Sequence, residues 1–201
     1  MNKHQLLQNT RKHIEQTQTQ ITKRLREVKS MIGTLERNLN TPNFYSNESA
    51  DKSAPIADRM KLNNSRQRTE ELENLYNSPY FAKCSVRFEN ENKCKTLYFS
   101  KFSYPLKNIY SWVSPAATLR FKKPGNISYD LPNRSKKSGK LHKKDQFMII
   151  DGKIVYMSSE SLDYKRTLVH QEHFTGQKRT FLLPEIVEQM EESLDRNHHM
   201  L

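Results

Sequence analysis

Leu7, Ile14, Ile21, Val28 and Leu35 recur every seven residues, and this spacing constrains the fold more than any other feature of the chain. Leu25, Ile32 and Leu39 each follow one of the last three by four residues. From Ile21 to Leu39 the apolar positions therefore alternate at four and three, as in a helix that buries one seam against a partner helix. Nearer the start, the intercalated positions are His4, Arg11 and Gln18, so that end of the seam is weak. No proline interrupts residues 2 to 41. A helix of that length reaches roughly 50 Å and must bury its stripe against a partner or fray.

Thr41-Pro42 ends the helix, because a residue before proline disfavours the helical region. The polar, turn-rich stretch NFYSNESADKSAP follows and reads as a loop. A second helical stretch runs from about Ile56 to Tyr76, with Met60, Leu62, Leu72 and Leu75 as its apolar candidates. The expected arrangement is an antiparallel helical hairpin over residues 1–77, with its tip at about 42–55. A helical pair inside a globule is the alternative. The polar character of most faces favours a projecting arm, since a buried helix would be apolar all round.

Ser78-Pro79 marks a boundary, after which the period shifts towards two. Predicted strands are Ala82–Phe88, Lys95–Phe102, Ile109–Trp112, Thr118–Phe121, Gly139–Ile150 and Lys153–Met157. Asp151-Gly152, between MII and KIVYM, supplies the positive φ angles of a tight hairpin. Residues 158–201 read as a linker and a C-terminal helix opened by Leu183-Pro184-Glu185. The fold class expected is α+β: a long N-terminal antiparallel helical hairpin (a coiled-coil arm), a small, mostly antiparallel β-module over 78–157, and a C-terminal helix.

Composition agrees with a small core carrying a solvated projection. Hydrophobic residues make up 34% of the 201, and mean hydropathy is -0.92. The net charge is +12. Between Lys101 and Lys144 stand eleven Lys and Arg against one acid, Asp130, a local net of +10. Such a patch attracts phosphates or an acidic protein face, or serves only as a solvated surface. Its candidate binding residues are Lys122, Lys123, Arg134, Lys136, Lys137, Lys140, Lys143 and Lys144. Tyr129, His142 and Phe147 lie among them, and either stack nucleic-acid bases or face a core. Two cysteines, no apolar leader and no apolar run long enough to span a bilayer predict a cytoplasmic chain without membrane contact.

Recognisable catalytic motifs are missing. SKKSGKL, around Gly139-Lys140, lacks the earlier glycine and the Ser or Thr of a phosphate-binding loop, and it falls at a strand entry. Cys84 and Cys94 have no histidine at a zinc-ligand spacing and read as half-buried strand cysteines. His170-Gln-Glu-His173 has the wrong spacing for the zinc motif of metalloproteases and reads as a polar loop or helix end. Glu48 and Asp51 are candidate acids at the hairpin tip, either simply solvated or presented to another protein's metal ion. No catalytic residue, metal or cofactor is expected.

The segments SPYFAKCSVRF (78–88), IYSWVSPAATLRF (109–121) and GKLHKKDQFMIIDGKIVYM (139–157) together resemble the N-terminal region of HelD-like proteins. These are UvrD/Rep-type, superfamily 1 ATPases associated with bacterial RNA polymerase, also called DNA helicase IV-like. The resemblance rests on Ser78, Pro79, Tyr80 and Phe81, then on Ile109, Tyr110, Trp112 and Pro115, and then on Gly139, Leu141, Gln146, Phe147 and Gly152. Ser111 and Val113-Ser114 replace the acid and the Arg-Ala of the family's tryptophan segment. Leu194 stands where the family's adenine-contacting glutamine is expected.

The resemblance implies that the helical hairpin enters the secondary channel of bacterial RNA polymerase, with the β-module as its base. It also implies that the full-length family uses ATP and Mg to release polymerase from nucleic acid. This sequence is expected to stop before the Walker A loop and to have no turnover of its own, as a truncated gene, a split protein whose motor domain is on a separate chain, or a cloned fragment. The alternative is a stand-alone protein that binds DNA or RNA through the basic patch.

Overall fold

A computed structural model describes residues 2–40, 54–163 and 165–172. The hairpin tip with Glu48 and Asp51, and the expected C-terminal helix, lie outside the described residues. The architecture is α+β: two helices, α1 (Lys3–Asn40) and α2 (Ala54–Asn77), followed by a mixed sheet of seven strands. The strands are β1 (Ala82–Phe88), β2 (Lys95–Ser100), β3 (Ile109–Ser111), β4 (Gly125–Asp130), β5 (Lys136–Ile150), β6 (Lys153–Ser161) and β7 (Arg166–Gln171). Their order is β3-β2-β1-β5-β6-β7, with β4 paired to β5. Every pairing is antiparallel except that of β2 with β3.

Ile14, Ile21, Val28 and Leu35 of the heptad series are buried, as the spacing predicts, whereas Leu7 is only half-buried and Leu6 takes the inner place. Leu25, Ile32 and Leu39 are half-buried. In the first half of α1 the seam runs instead through Thr10 and Thr17, both buried. Their hydroxyls donate to the carbonyls of Leu6 and His13, at 2.8 Å each, so burial leaves no unsatisfied donor. The stripe therefore turns along the helix. Leu6, Ile14 and Ile21 share a core with Tyr80, Phe147, Ile154 and Met157 of the sheet region. Farther along, the ion pairs Lys29–Glu73 (2.9 Å) and Glu36–Arg66 (2.8 Å) join α1 to α2 in antiparallel order.

The start of α1 is thus part of the sheet's own core rather than of a free lever, and its polar side faces solvent. α2 packs extensively on α1 and only lightly on the sheet. Leu62, Leu72 and Leu75 of α2 are buried, but Met60 is 63% exposed, contrary to its expected place on the apolar face.

The opposite face of the sheet has its own core. Cys84, Val86 and Phe88 alternate along β1 towards Leu97, Phe99, Ile127 and Leu141. This face is roofed by a 3-10 helix, Pro115–Phe121, through Ala117 and Leu119. A strand was expected at Thr118–Phe121. Pro115 fixes a helical first residue, and the Thr118 hydroxyl donates back to the Pro115 carbonyl (2.8 Å), which favours the tight helix locally.

The sheet also extends past the predicted limit at 157. β6 continues to Ser161 and β7 adds an edge, in a region expected to be linker. β4 was not predicted; its alternating Ile127 and Tyr129 are too few to register as a period. Asp151-Gly152 forms the β5–β6 turn with both residues at positive φ (50° and 73°). The Gly152 amide donates to the Asn77 carbonyl (2.8 Å) and fixes this turn to the end of α2.

Candidate functional site

β5 carries five of the eight candidate binding residues, and one irregularity decides which of its side chains face outward. Its pairing with β1 passes from Ser85↔Lys143 to Val86↔Leu141, so β5 holds one extra residue, His142. Strict alternation would place Leu141 and Lys143 on one face. The bulge instead places Lys144 on the Leu141 side, opposite Cys84, and turns Lys143 towards the face that carries Lys83 and Asp145.

Lys144 is consequently 8% exposed. Its ammonium lies 3.1 Å from a Glu160 carboxylate oxygen and donates to the Lys122 carbonyl, also at 3.1 Å. Lys143 and Lys83 each lie 3.4 Å from an oxygen of the buried Asp145 carboxylate. Lys137 sits over the Phe88 ring, 3.9 Å from its centroid, and 3.7 Å from Glu91. Three of the eight predicted binding residues are therefore engaged internally.

The other five, Lys122, Lys123, Arg134, Lys136 and Lys140, have no ion-pair partner among the described residues, and all but the half-buried Lys140 are exposed. Arg134 has positive φ (64°) at the β4–β5 turn, where Asn133 accepts from the Ser135 amide (3.1 Å) and hydroxyl (2.6 Å). This turn holds Arg134 and Lys136 at one end of the module.

The aromatics among these cations do not form a stacking surface. Phe147 is 1% exposed in the α1-side core, and Tyr129 is buried edge-on to Phe88 in the other. His142, at the bulge, is half-buried. Cys84 is fully buried, and burial pushes its thiol up to about 12, whereas Cys94 is exposed. The two thiols are therefore not the matched pair expected. His170 lies on β7, 3.6 Å from Glu172, rather than on a loop or helix end. Among the described residues no three His, Cys, Asp or Glu side chains converge in a way that would hold a metal.

A second feature of the same strands was not visible in the sequence. Arg87 of β1 is the direct cross-strand partner of Lys140, and Asn126 of β4 faces Lys140 from the other side. Two residues farther along each strand, on the same face, Ser128 and Ser138 stand opposite each other with their hydroxyls 3.4 Å apart. These residues line a cavity of about 750 Å³, rimmed by Glu89, Glu91 and Asn92. Gly139 makes the close strand approach possible: a Cβ there would lie 2.5 Å from the Arg87 carbonyl oxygen. Only the three-strand register brings these residues together.

At the junction of α1 and the sheet, His13 stacks on Tyr98 and meets the Tyr80 hydroxyl at 3.1 Å. Burial, with Lys107 and Lys83 nearby, lowers the imidazole pKa to about 4. Burial likewise raises Tyr98 to about 12, and Tyr80 well above the ordinary phenol value. These three side chains stay neutral near pH 7, which suits a junction partly withdrawn from solvent.

No protein-family model matches the chain, and no curated protein matches it with significance. No described helix is long and apolar enough to cross a membrane.

Proposed function

We propose that this chain is a non-catalytic interaction module, similar to the N-terminal part of HelD-like ATPases, that binds bacterial RNA polymerase. The antiparallel helix pair is the observation that carries this reading. α2 packs almost wholly on α1, and the pair is fastened by Lys29–Glu73 and Glu36–Arg66. From Val28 to Asn40, α1 would form one side of a coiled-coil arm of about 20 Å. That arm reaches into the polymerase secondary channel, while the module bearing Lys122, Lys123, Arg134, Lys136 and Lys140 adheres to polymerase or its nucleic acid through charge. These 201 residues themselves turn over no ATP.

The test is co-purification. A tagged chain captures RNA polymerase from a bacterial lysate, and the association survives nuclease treatment. Malachite-green assay of the purified chain gives no phosphate above background. The five unpaired cations also favour a second reading, a stand-alone DNA- or RNA-binding protein. It predicts that nuclease abolishes the co-purification.

A further inference from the structure

Arg87 and Lys140 stand directly opposite each other across β1 and β5. Like charges in that position repel, so the arrangement destabilises the sheet unless something neutralises it. Neither has an ion-pair partner among the described residues, whereas Lys137 and Lys143 on the same strand do. Beside them, Asn126, Ser128 and Ser138 add hydrogen-bonding groups along the wall of one cavity. Of its two rim carboxylates, Glu91 is already held by Lys95 (2.7 Å) and Lys137 (3.7 Å), which leaves Glu89. The cavity thus combines two uncommitted cations, three neutral polar groups and one uncommitted carboxylate.

We infer that this cavity binds a phosphate ester bearing hydroxyl or amino donors, as in a nucleotide unit, free or within a strand. Arg87 and Lys140 take the phosphate oxygens, Ser128, Ser138 and Asn126 complete their hydrogen bonding, and Glu89 accepts from a sugar hydroxyl or a base amino group. A volume of about 750 Å³ lies within the range of small-ligand sites. The site is made of strand side chains, not of a glycine-rich loop at a helix N-terminus, so it holds a phosphate without the geometry for transferring one. It does not depend on polymerase binding, since the helix pair contributes no residue to the cavity.

The experiment titrates the full chain with adenosine monophosphate, adenosine and a short oligoadenylate by calorimetry, and follows backbone amide shifts by NMR. Adenosine monophosphate or the oligoadenylate binds and moves the amides of Ser138, Gly139 and Lys140, and adenosine does not bind. Binding by the monophosphate identifies a free nucleotide as sufficient; binding by the oligoadenylate alone identifies a strand. Arg87→Gln and Lys140→Gln each weaken that binding by roughly tenfold or more, as expected for loss of a charged hydrogen bond. Lys153→Gln, an equal loss of charge at the far turn of the sheet, leaves it within about twofold. Equal binding of adenosine, equal weakening by all three substitutions, or no binding of either phosphate ester by a folded chain overturns the inference. Retained polymerase capture by Arg87→Gln separates failure here from failure of the polymerase reading.

Discussion

The imidazole of His13 lies flat on the ring of Tyr98, with centroids 4.4 Å apart and planes within 6°. This contact joins the long helix to the sheet and places a titratable group in a half-buried junction. The folded-state pKa of about 4 lies below the ordinary 6.5, so the folded state resists protonation. Stability tied to His13 is therefore complete above about pH 6.5 and is lost as pH falls through about 4. Urea unfolding near pH 7 and near pH 4.5 should show a loss of about 1–2 kcal/mol, after allowing for solvent screening of a half-buried ring. His13→Phe keeps the stacking and should flatten that part of the pH dependence. An unchanged dependence in His13→Phe would assign the loss to other groups.

Lys144 and Lys123 carry the same formal charge, but removing the first should cost far more stability than removing the second. Lys144→Ala leaves the half-buried Glu160 carboxylate without its ammonium partner and the Lys122 carbonyl without a donor. The cost should be about 2–4 kcal/mol in chemical denaturation. Lys123→Ala, on an exposed loop, should change stability by less than ~0.5 kcal/mol.

Three glycines should give three different results on replacement with alanine. Gly139→Ala drives a Cβ against the Arg87 carbonyl and should destabilise by about 1–3 kcal/mol. Gly152→Ala combines a φ of +73° with a clash against the Gln18 side chain, and should cost about 1–2 kcal/mol. Gly33→Ala sits in open space within α1 and should stabilise by roughly 0.5–1 kcal/mol through helix propensity. Thermal unfolding of the three variants checks all three signs.

The docking of α1 on both sheet and partner helix predicts a gradient of sensitivity. Ile21→Ala, at a fully buried position, should cost about 2–5 kcal/mol. Met60→Ala, on the exposed side of α2, should cost less than ~0.5 kcal/mol. Comparable effects at both sites would contradict the burial described for α2.

Much of the helical and β organisation was legible in the sequence because it rests on local periods. The heptads gave α1, Asp151-Gly152 gave the β5–β6 turn, and Ala82–Phe88 was bounded correctly by alternation alone. What escaped depends on contacts distant in sequence. Thr10 and Thr17 read as polar, yet each satisfies its hydroxyl on the helix backbone and fills the seam. The β5 bulge at His142 sends Lys144 inward, and no composition rule signals a bulge without glycine. The pairing of Arg87 with Lys140 joins residues 53 positions apart, so Arg87 stood out in no motif. The second half of the 3-10 roof, Thr118–Phe121, read as a strand, although of its two apolar residues Leu119 is buried and Phe121 is exposed.

The helix pair is the structural basis of the proposed polymerase binding, and shortening it tests that account most directly. Residues 36–66 are replaced by a short Gly/Ser loop, leaving the sheet, the cavity and the exposed cations unchanged. Binding of both forms to purified, nucleic-acid-free bacterial RNA polymerase is then measured by size-exclusion chromatography and biolayer interferometry. The account predicts stable binding by the intact chain and at least roughly tenfold weaker binding by the shortened one. Equal binding by the two forms, or none by the intact chain, would contradict it.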